Sequence, residues 1–226
     1  MKVSGSDDLV VVSGVDPLTL HLFRCPNGCY PVQEAERRNL RLAFNLGFFE
    51  YDRDRGYSIK GLLSYRGEPI NTSPTGYPWT YLFFVDDRGR PGLSSLDELS
   101  SEWWAGLHLG VEVGPRLVYD GECVSGLDRE HKSSRLAIGW DGSELVLFAH
   151  RRKISLHEFA GMIRDIGTRF AINLDGGGSL SLYVRTTDGL VSVIGIPSNP
   201  EDTTRYEQGP LGRKVPYFVG VPDKSS

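Results

Sequence analysis

The sequence predicts an α+β fold in which strands dominate. It indicates a single domain over residues 1–226, with a mixed or antiparallel sheet and a few helices packed on it. Hydrophobic residues make up 39% of the 226 residues, enough to bury one sizeable core. The 27 glycines and 13 prolines indicate frequent turns and few long helices. Short apolar runs flank turns such as Asp141-Gly142 and Asp188-Gly189, which favours antiparallel hairpins.

Most of the predicted elements are strands, rich in Val, Leu and aromatic residues and bounded by turn residues. The first two strands, over 9–14 and 18–23, are separated by Asp16-Pro17, a pair typical of a turn. The other strands are predicted at 81–85, 116–119, 135–140, 144–149, 170–173, 179–184, 190–194 and 217–221.

Three segments have the apolar spacing of helices. The first is 32–45, in which apolar residues share one face and charged residues occupy the other. The second is 95–107. The third, 155–167, carries the clearest signal, because Ser155 and Glu158 stand at the spacing of a capping box. We expect this third helix to be scaffold that packs on the sheet.

The charge and hydropathy patterns exclude several functions. With a net charge of −4, the chain lacks the clustered Lys and Arg that broad nucleic-acid binding requires. No apolar stretch approaches the roughly 20 residues of a membrane-spanning helix. Residues 1–14 lack the layout of a secretory signal. The sequence therefore predicts a cytoplasmic, phage-associated or virion-associated protein, with secretion left open if a leader was removed.

The three cysteines, Cys25, Cys29 and Cys123, cannot all pair within one chain. The short separation of Cys25 and Cys29 leaves a local disulfide open, but we expect the thiols to be reduced and structural. The sequence has no second Cys or His pair at ligand spacing, so a zinc site is not expected.

The segment from Asn173 to Ser179 is the outstanding candidate for a functional loop. A predicted apolar strand ends in Asn173 and Asp175, and three glycines follow. Successive glycines let backbone N–H groups converge on an anion and let a ligand approach the main chain closely. Asp175 has the chemistry of a base, a nucleophile or a metal ligand. The loop matches neither a Walker A loop nor a dinucleotide fingerprint, so a bare hairpin loop stays open as an alternative.

Several short motifs occur in a fixed order along the chain. They are Phe44-Asn-Leu-Gly-Phe-Phe49, Gly114-Pro-Arg-Leu-Val118 with Asp120-Gly121, Arg135-Leu-Ala-Ile-Gly139 with Asp141-Gly142, Ser155-Leu-His-Glu-Phe-Ala160, Gly167, Asn173-Leu-Asp-Gly-Gly-Gly-Ser179 and Gly212-Arg-Lys-Val-Pro216. In this order, over residues 40–221, they resemble the phosphodiester glycosidase family. Its members remove a sugar such as N-acetylglucosamine from a phosphodiester. One position departs from the family pattern, because Leu46 stands where a glycine is usual.

The resemblance implies roles for the polar residues of these motifs. Glycoside cleavage generally uses carboxylates, and a guanidinium fork suits a phosphate. The implied catalytic residues are Asp175, as nucleophile or base, with Asn173 and Arg135. The implied substrate-binding residues are Asn45, Gly176, Gly177, Gly178, Ser179 and Arg213. We expect residues 173–179, Arg135 and Arg213 to converge on one pocket, where Asn45 and Asn173 orient sugar hydroxyls or hold Asp175.

The sequence leaves the cofactor and the mode of action open. No cofactor is certain, although a divalent metal such as calcium, held by Asp175 and Asp141, is an option. The expected partner is a glycosyl phosphate or another glycan, and the oligomeric state is unspecified. The alternative function is a non-catalytic module that binds glycans or cell-wall phosphopolymers, including a phage or surface structural protein. Tyr77 and Trp79 are candidates for packing or for stacking on a sugar, and His131 is notable because it closely precedes Arg135.

Overall fold

The computed structural model describes residues 1–197 and 208–223. Strands contain 51% of these residues and helices 12%, so the fold is mostly β and the α+β prediction is wrong. The physical reason is that two of the three segments with helical spacing do not form long helices. Each strand pair in the described ranges is antiparallel.

The strands of the described residues are numbered in chain order. They are β1 (Lys2–Gly5), β2 (Leu9–Val15), β3 (His21–Cys29), β4 (Leu40–Asn45), β5 (Phe49–Asp52), β6 (Gly56–Ile59), β7 (Leu63–Tyr65), β8 (Glu68–Asn71), β9 (Tyr81–Asp86), β10 (Pro91–Ser94), β11 (Leu107–Val113), β12 (Arg116–Tyr119), β13 (Glu122–Cys123), β14 (Ser133–Trp140), β15 (Leu145–Ile154), β16 (Phe170–Asn173), β17 (Ser181–Thr186), β18 (Gly189–Ile194), β19 (Gln208–Gly209), β20 (Gly212–Arg213) and β21 (Val215–Pro222). The α-helices are α1 (Pro31–Arg37) and α2 (Leu156–Asp165).

Three sheets of five or more strands carry the fold. The seven-stranded sheet has the order β1-β2-β15-β14-β16-β12-β13. The two five-stranded sheets have the orders β10-β9-β11-β7-β8 and β18-β17-β4-β21-β3. Two-stranded ribbons, β5-β6 and β19-β20, complete the arrangement. In the described residues, no helix is both long enough and apolar enough to cross a membrane.

The main apolar core lies between these sheets. It contains Phe44 and Val219 from one five-stranded sheet, Phe83 from the other, and Leu136 and Ile172 from the seven-stranded sheet. Alternate residues of each strand point to opposite faces, so the outer faces need separate cover. Helix α2 covers the outer face of the seven-stranded sheet, and α1 covers one five-stranded sheet.

The helix predicted over 155–167 is confirmed. Ser155 caps α2, its Oγ accepting a hydrogen bond from the Glu158 N–H at 3.2 Å while the Glu158 side chain returns the capping-box contact. Phe159 and Ile163 on the inner face of the helix are fully buried.

The helix predicted over 32–45 is wrong in its second half. The chain is helical only in α1, and Asn39 then adopts a positive φ of 52°, which helices do not allow. Leu40–Asn45 continues as strand β4, in the middle of a sheet that is covered on both faces. A short apolar run of this kind fits a buried strand as well as a helix, so periodicity alone does not separate them.

The helix predicted over 95–107 is also wrong. The segment contains a single 3-10 turn, Leu96–Glu98, and then turns that end at Gly106 with a φ of +74°. Trp103 and Trp104 pack against each other edge to face, so the aromatic pair does not form a helical stripe.

The expectation of reduced thiols is wrong for Cys25 and Cys29, which form a disulfide with their Cα atoms 5.7 Å apart. The intervening chain bends through Gly28, whose φ of +71° lets β3 fold back far enough for the two cysteines to meet. Cys123 is a free, partly buried thiol.

Candidate active site

An open cleft of about 780 Å³ lies at one end of the seven-stranded sheet. Because the strands are antiparallel, the C-terminal end of β16 lies beside the N-terminal ends of β12 and β14. Residues 173–178, which follow from β16, line the base of the cleft and are called the floor. The surrounding walls come from the start of β14, the start of β12 and the segment before β9.

Two residues that end β4 or follow it fix the position of Asp175 on the floor. The Asp175 N–H donates to the Leu46 carbonyl at 3.1 Å, and the Asn45 amide donates to the Asp175 carbonyl at 2.6 Å. Asn45 Oδ1 also accepts from the Ser181 N–H at 2.8 Å, so one buried amide holds both ends of the loop. Leu46 contacts Asp175 through its backbone carbonyl, and its side chain is buried in the core. A leucine therefore fits at this position, where the family usually has a glycine.

Asn173 is buried at the junction between the floor and β12. Its amide donates to the Gly114 carbonyl at 3.1 Å and to the Leu174 carbonyl at 2.8 Å. Its backbone pairs with Gly114 and with Pro115, which are joined by a cis peptide bond. Asn173 Oδ1 is inaccessible to solvent and accepts no hydrogen bond within the described residues. The residue therefore fixes the start of the floor while one polar atom remains without a partner there.

Two of the three glycines of the floor satisfy steric conditions that other residues would break. A Cβ at Gly176 would lie 2.6 Å from the Ser134 carbonyl oxygen, and Gly177 has a φ of +56°. Across residues 1–197 and 208–223, no group accepts a hydrogen bond from the N–H of Gly176, Gly177 or Gly178. Buried N–H groups are nearly always paired, so this part of the cleft suits an acceptor such as an anionic oxygen.

Arg135 lies on β14 beside the floor and is only 8% exposed. Its Nε donates to the Ile154 carbonyl at 3.0 Å and its Nη2 to the His131 carbonyl at 2.7 Å. Burial lowers the pKa of the Arg135 guanidinium, while the negative charge of Asp128 acts in the opposite direction. An arginine stays charged even so. No carboxylate of the described chain lies within ion-pair distance of this buried cation.

Arg213 approaches the cleft from β20, far from Arg135 in the sequence. It is 7% exposed, lines the cleft and donates through Nη1 to Ser179 Oγ at 3.2 Å. Ser179 itself is fully buried below the floor. Arg213 thus links the exit of the glycine segment to the cleft surface.

Tyr217 lies under the floor, and sequence reasoning gave no sign of it. Its hydroxyl donates to the Phe48 carbonyl at 3.2 Å. Burial, and secondly the negative charge of Asp175, raise the pKa of Tyr217 far above its usual value. The phenol is therefore a neutral donor that supports the Phe48 segment.

The structure brings most of the predicted site residues together. Those that line the cleft are Arg135, Asn173, Asp175, Gly176, Gly177, Gly178 and Arg213. Asn45 and Ser179 lie behind the floor, where they hold its backbone and Arg213. Which of these residues binds substrate or takes part in chemistry stays a prediction.

Asp141 does not join this group. It caps the β14–β15 turn, where its Oδ1 accepts from the N–H groups of Ser143 and Glu144 at 2.8 and 2.7 Å. Gly176 lies beside Ser134 at the other end of β14, about 20 Å away at roughly 3.3 Å per strand residue. Asp141 and Asp175 are therefore too far apart to bind the same metal ion. Among the described residues, no three His, Cys, Asp or Glu side chains cluster at metal-binding distance.

Three cleft residues were missed or left without a role. Arg116 belongs to the Gly114-Pro-Arg motif, yet no charge pattern in the sequence marked it as part of the site. Asp128 Oδ1 accepts from the N–H groups of Glu130 and His131, which lower the pKa of the Asp128 carboxyl. His131, singled out for its position before Arg135, also lines the cleft.

The opposite side of the cleft is an aromatic wall formed by Phe48, Tyr77 and Trp79. Tyr77 and Trp79 stack with ring centroids 5.0 Å apart, and Phe48 meets Trp79 edge to face at 5.7 Å. Phe48 and Trp79 line the cleft. Tyr77 and Trp79 remain 38% and 40% exposed, so part of each ring surface is open to solvent although the two rings stack on each other.

A fully buried carboxylate, Glu112 on β11, anchors the loop that carries this wall. Glu112 accepts hydrogen bonds from the Leu62 and Thr75 N–H groups at 3.0 Å each and from the Thr80 hydroxyl at 2.7 Å. The Thr75 hydroxyl donates to it as well. Glu112 thus clamps the chain on both sides of Tyr77 and Trp79.

This mostly-β protein has one cleft that combines a buried arginine, unpaired backbone donors, a carboxylate and an aromatic wall. Such a cleft suits a ligand that contains both an anionic group and a ring. Carbohydrate phosphates have this composition. The sequence profile of the phosphodiester glycosidase family matches residues 38–221. The chain belongs to that family, which supports a glycosidase-like function. No curated protein sequence matches the chain.

Solved structures resemble the fold across almost the whole chain. The catalytic domain of zebrafish N-acetylglucosamine-1-phosphodiester alpha-N-acetylglucosaminidase, auto-inhibited by pro-peptide, has a TM-score of 0.70 at 18% identity, covering 96% of this chain and 77% of that one. A Synechocystis protein has a TM-score of 0.56 at 15% identity, and the match covers 97% of this chain and 60% of that one. A Burkholderia pseudomallei protein described as a putative exported protein has a TM-score of 0.61 at 13% identity. The match covers 95% of this chain and 74% of that one. At these identities the likeness is one of fold.

Proposed function

We propose that this protein is a glycosidase that hydrolyses the bond between the anomeric carbon of a sugar and a phosphodiester. The observation that carries the proposal is Arg135, a buried cation in the cleft with no ion-pair partner in the described chain. Burying a charge is costly unless an opposite charge meets it, so such a group suits an anionic ligand. The N–H groups of Gly176, Gly177 and Gly178 add donors for the same anion.

The chemistry assigned to the cleft follows from the leaving group. Hydrolysis breaks the bond from the anomeric carbon to the phosphate oxygen, and oxygen from water ends on that carbon. Asp175 serves as nucleophile or as the base that takes the proton from water. The departing phosphate monoester is a weak base, so it needs little protonation. Arg135 holds the phosphate in both the ground and the transition state, and Asn45 keeps the Asp175 backbone in place.

The sugar is assigned to the region next to the aromatic wall. Aromatic rings stack well against the apolar faces of sugars, and Trp79 is open to the cleft. The zebrafish structure, which has the same fold, bears the name of an enzyme for N-acetylglucosamine 1-phosphodiesters. We therefore take a sugar such as N-acetylglucosamine as the first substrate to test.

Replacement of Asp175 tests the proposal directly. Asp175→Asn removes the charge and keeps the shape, so release of sugar from a methyl glycosyl phosphodiester is expected to fall about a thousandfold. The matched control is Asp141→Asn, because Asp141 lies outside the cleft and asparagine also caps a turn of this kind. Activity within about twofold of the wild type is expected for the control. Equal activity of the wild type and Asp175→Asn would end the assignment of Asp175.

Arg135 is expected to affect binding more than turnover. Arg135→Ala removes attraction to a phosphate that is present in both ground and transition states, so the main effect is a higher KM. Arg135→Lys is expected to recover only part of the loss, since an ammonium keeps the charge without the fork. A wild type that binds a glycosyl phosphodiester tightly and never cleaves any of a broad panel would favour the binding-module alternative over the enzyme.

A further inference from the structure

A third arginine, Arg116, lines the cleft and has no role in the chemistry above. Its guanidinium lies over the Tyr81 ring at 4.1 Å and over the Tyr119 ring at 4.9 Å. Within residues 1–197 and 208–223, the Arg116 side chain forms no ion pair and donates no hydrogen bond, and its Nε is inaccessible to solvent. Stacking occupies the faces of a guanidinium and leaves its N–H edges for an acceptor.

Arg116 stands apart from the Arg135 site. Strands β12 and β14 lie on opposite sides of β16, with Arg116 opposite Ile172 and Ala137 opposite Asn173. By this register, Arg116 lies level with Ile138 of β14, which is two strands away. Arg135 is three residues before Ile138 on that strand. Strand spacings of about 4.8 Å and rises of about 3.3 Å put the two Cα atoms roughly 14 Å apart. Arg116 and Arg135 are therefore two separate positively charged positions of the cleft.

The charges around the two arginines also differ. The negative charge of Asp128 acts on Arg135 without forming an ion pair, and no carboxylate of the described chain forms an ion pair with Arg116. A glycosyl phosphodiester carries a single negative charge, which the Arg135 side of the cleft already accommodates. A second phosphate on the leaving group adds a further negative charge, which a second cation in the cleft can meet.

Resting on the proposed function, we propose that Arg116 forms a subsite for a second phosphate on the leaving group. The preferred substrate class is then a sugar linked to a diphosphate or to a phosphate-containing chain, and a phosphodiester of a neutral alcohol is a poorer substrate. The aromatic rings around Arg116 hold the guanidinium in place, which lowers the entropy lost when it binds the phosphate.

The test compares two substrates that share one sugar: the methyl glycosyl phosphate and the methyl glycosyl diphosphate. For the wild type, kcat/KM is expected to be at least about tenfold higher for the diphosphate. Arg116→Gln is expected to lower kcat/KM about tenfold for the diphosphate and to leave the monophosphate within about twofold. Arg116→Lys is expected to retain part of the preference. The matched control is Arg90→Gln, an exposed arginine outside the cleft whose loss is expected to change neither ratio.

The outcomes separate this inference from the proposed function. The subsite would be overturned if the wild type cleaved the monophosphate and showed no preference for the diphosphate. It would also be overturned if Arg116→Gln showed the same preference as the wild type. In both cases the proposed glycosidase activity would stand. Cleavage of neither substrate would overturn the glycosidase, and the subsite is then decided by calorimetry with methyl diphosphate. Weaker binding to Arg116→Gln supports the subsite, and equal binding overturns it. Thermal unfolding of each variant shows whether it is folded.

Discussion

The floor and the aromatic wall of the cleft are built in opposite ways. The floor is buried, and strands from distant parts of the sequence fix its backbone, as when Asn45 binds Asp175 across 130 residues. Two of the three rings of the wall, Tyr77 and Trp79, are exposed and lie on a loop that Glu112 anchors on both sides of them. In the proposed function, the floor thus fixes atoms for chemistry, and the wall presents a surface whose side chains can change without disturbing the sheets.

The difference predicts that damage to the floor impairs turnover and that damage to the wall impairs substrate affinity. A change under the floor displaces Asp175 relative to the bond that breaks. A change in the wall alters an area that contacts substrate equally in the ground and transition states, which affects KM more than kcat.

The strongest test is removal of the clamp under the floor. Asn45→Ala removes the hydrogen bonds that the Asn45 amide makes to the Asp175 carbonyl and the Ser181 N–H, so the free energy of unfolding is expected to fall by about 3 kcal/mol and kcat by about a hundredfold. The matched control is Asn71→Ala, which removes a 2.7 Å bond to the Gly61 carbonyl in the loop of the wall. That control is expected to lower stability with kcat unchanged. A fall in kcat of equal size in both variants would contradict the comparison.

The second test loosens the wall at its base. Glu112→Gln replaces an acceptor of four hydrogen bonds by an amide whose NH2 group faces N–H and O–H donors. The free energy of unfolding is expected to fall by about 2 kcal/mol, with a higher KM and little change in kcat. The control is Glu102→Gln, at an exposed position. Hydrogen exchange confined to residues 61–80 locates the effect, and exchange spread through the floor would show that floor and wall are one unit.

The smallest expected effect concerns one ring of the wall. Trp79→Ala removes a stacking surface worth about 1 kcal/mol, which corresponds to a rise in KM of about fivefold with kcat retained. Trp79→Phe is expected to restore most of the affinity, because it keeps an aromatic face in the cleft. A loss of kcat in Trp79→Ala with unchanged KM would place the ring in the chemistry and blur the contrast with the floor.

Local signals in the sequence predicted the local features of the fold. The capping box at Ser155 and Glu158 predicted α2 because both partners lie in one turn of chain. The run over 40–45 was misread because its burial on two faces depends on neighbouring strands that local spacing does not reveal. The disulfide of Cys25 and Cys29 likewise needed the backbone bend at Gly28 to decide it. The cellular compartment stays a prediction.

Part of the candidate site could be predicted and part could not. The floor is one contiguous motif, and Arg135 and Arg213 stand in motifs whose order indicates the family. Glu112 and Asp128 stand in none of these motifs, because each acquires its place through contacts with Thr75 or within a turn. Arg116 stands in the Gly114-Pro-Arg motif, but its place in the cleft depends on tertiary stacking against aromatic rings. For Glu112, the sequence offered one signal, which is that a charged residue stands within the apolar strand β11.

The place of β21 in its sheet has a consequence for synthesis of the protein. This strand, Val215–Pro222, lies between β3 and β4, near the opposite end of the sequence from its neighbours. At roughly 5–20 residues per second, the ribosome delivers it on the order of ten seconds or more after β4, and until then both partners present open strand edges. The nascent chain is thus expected to depend on chaperones until its last strand emerges, and the high contact order predicts slow folding thereafter.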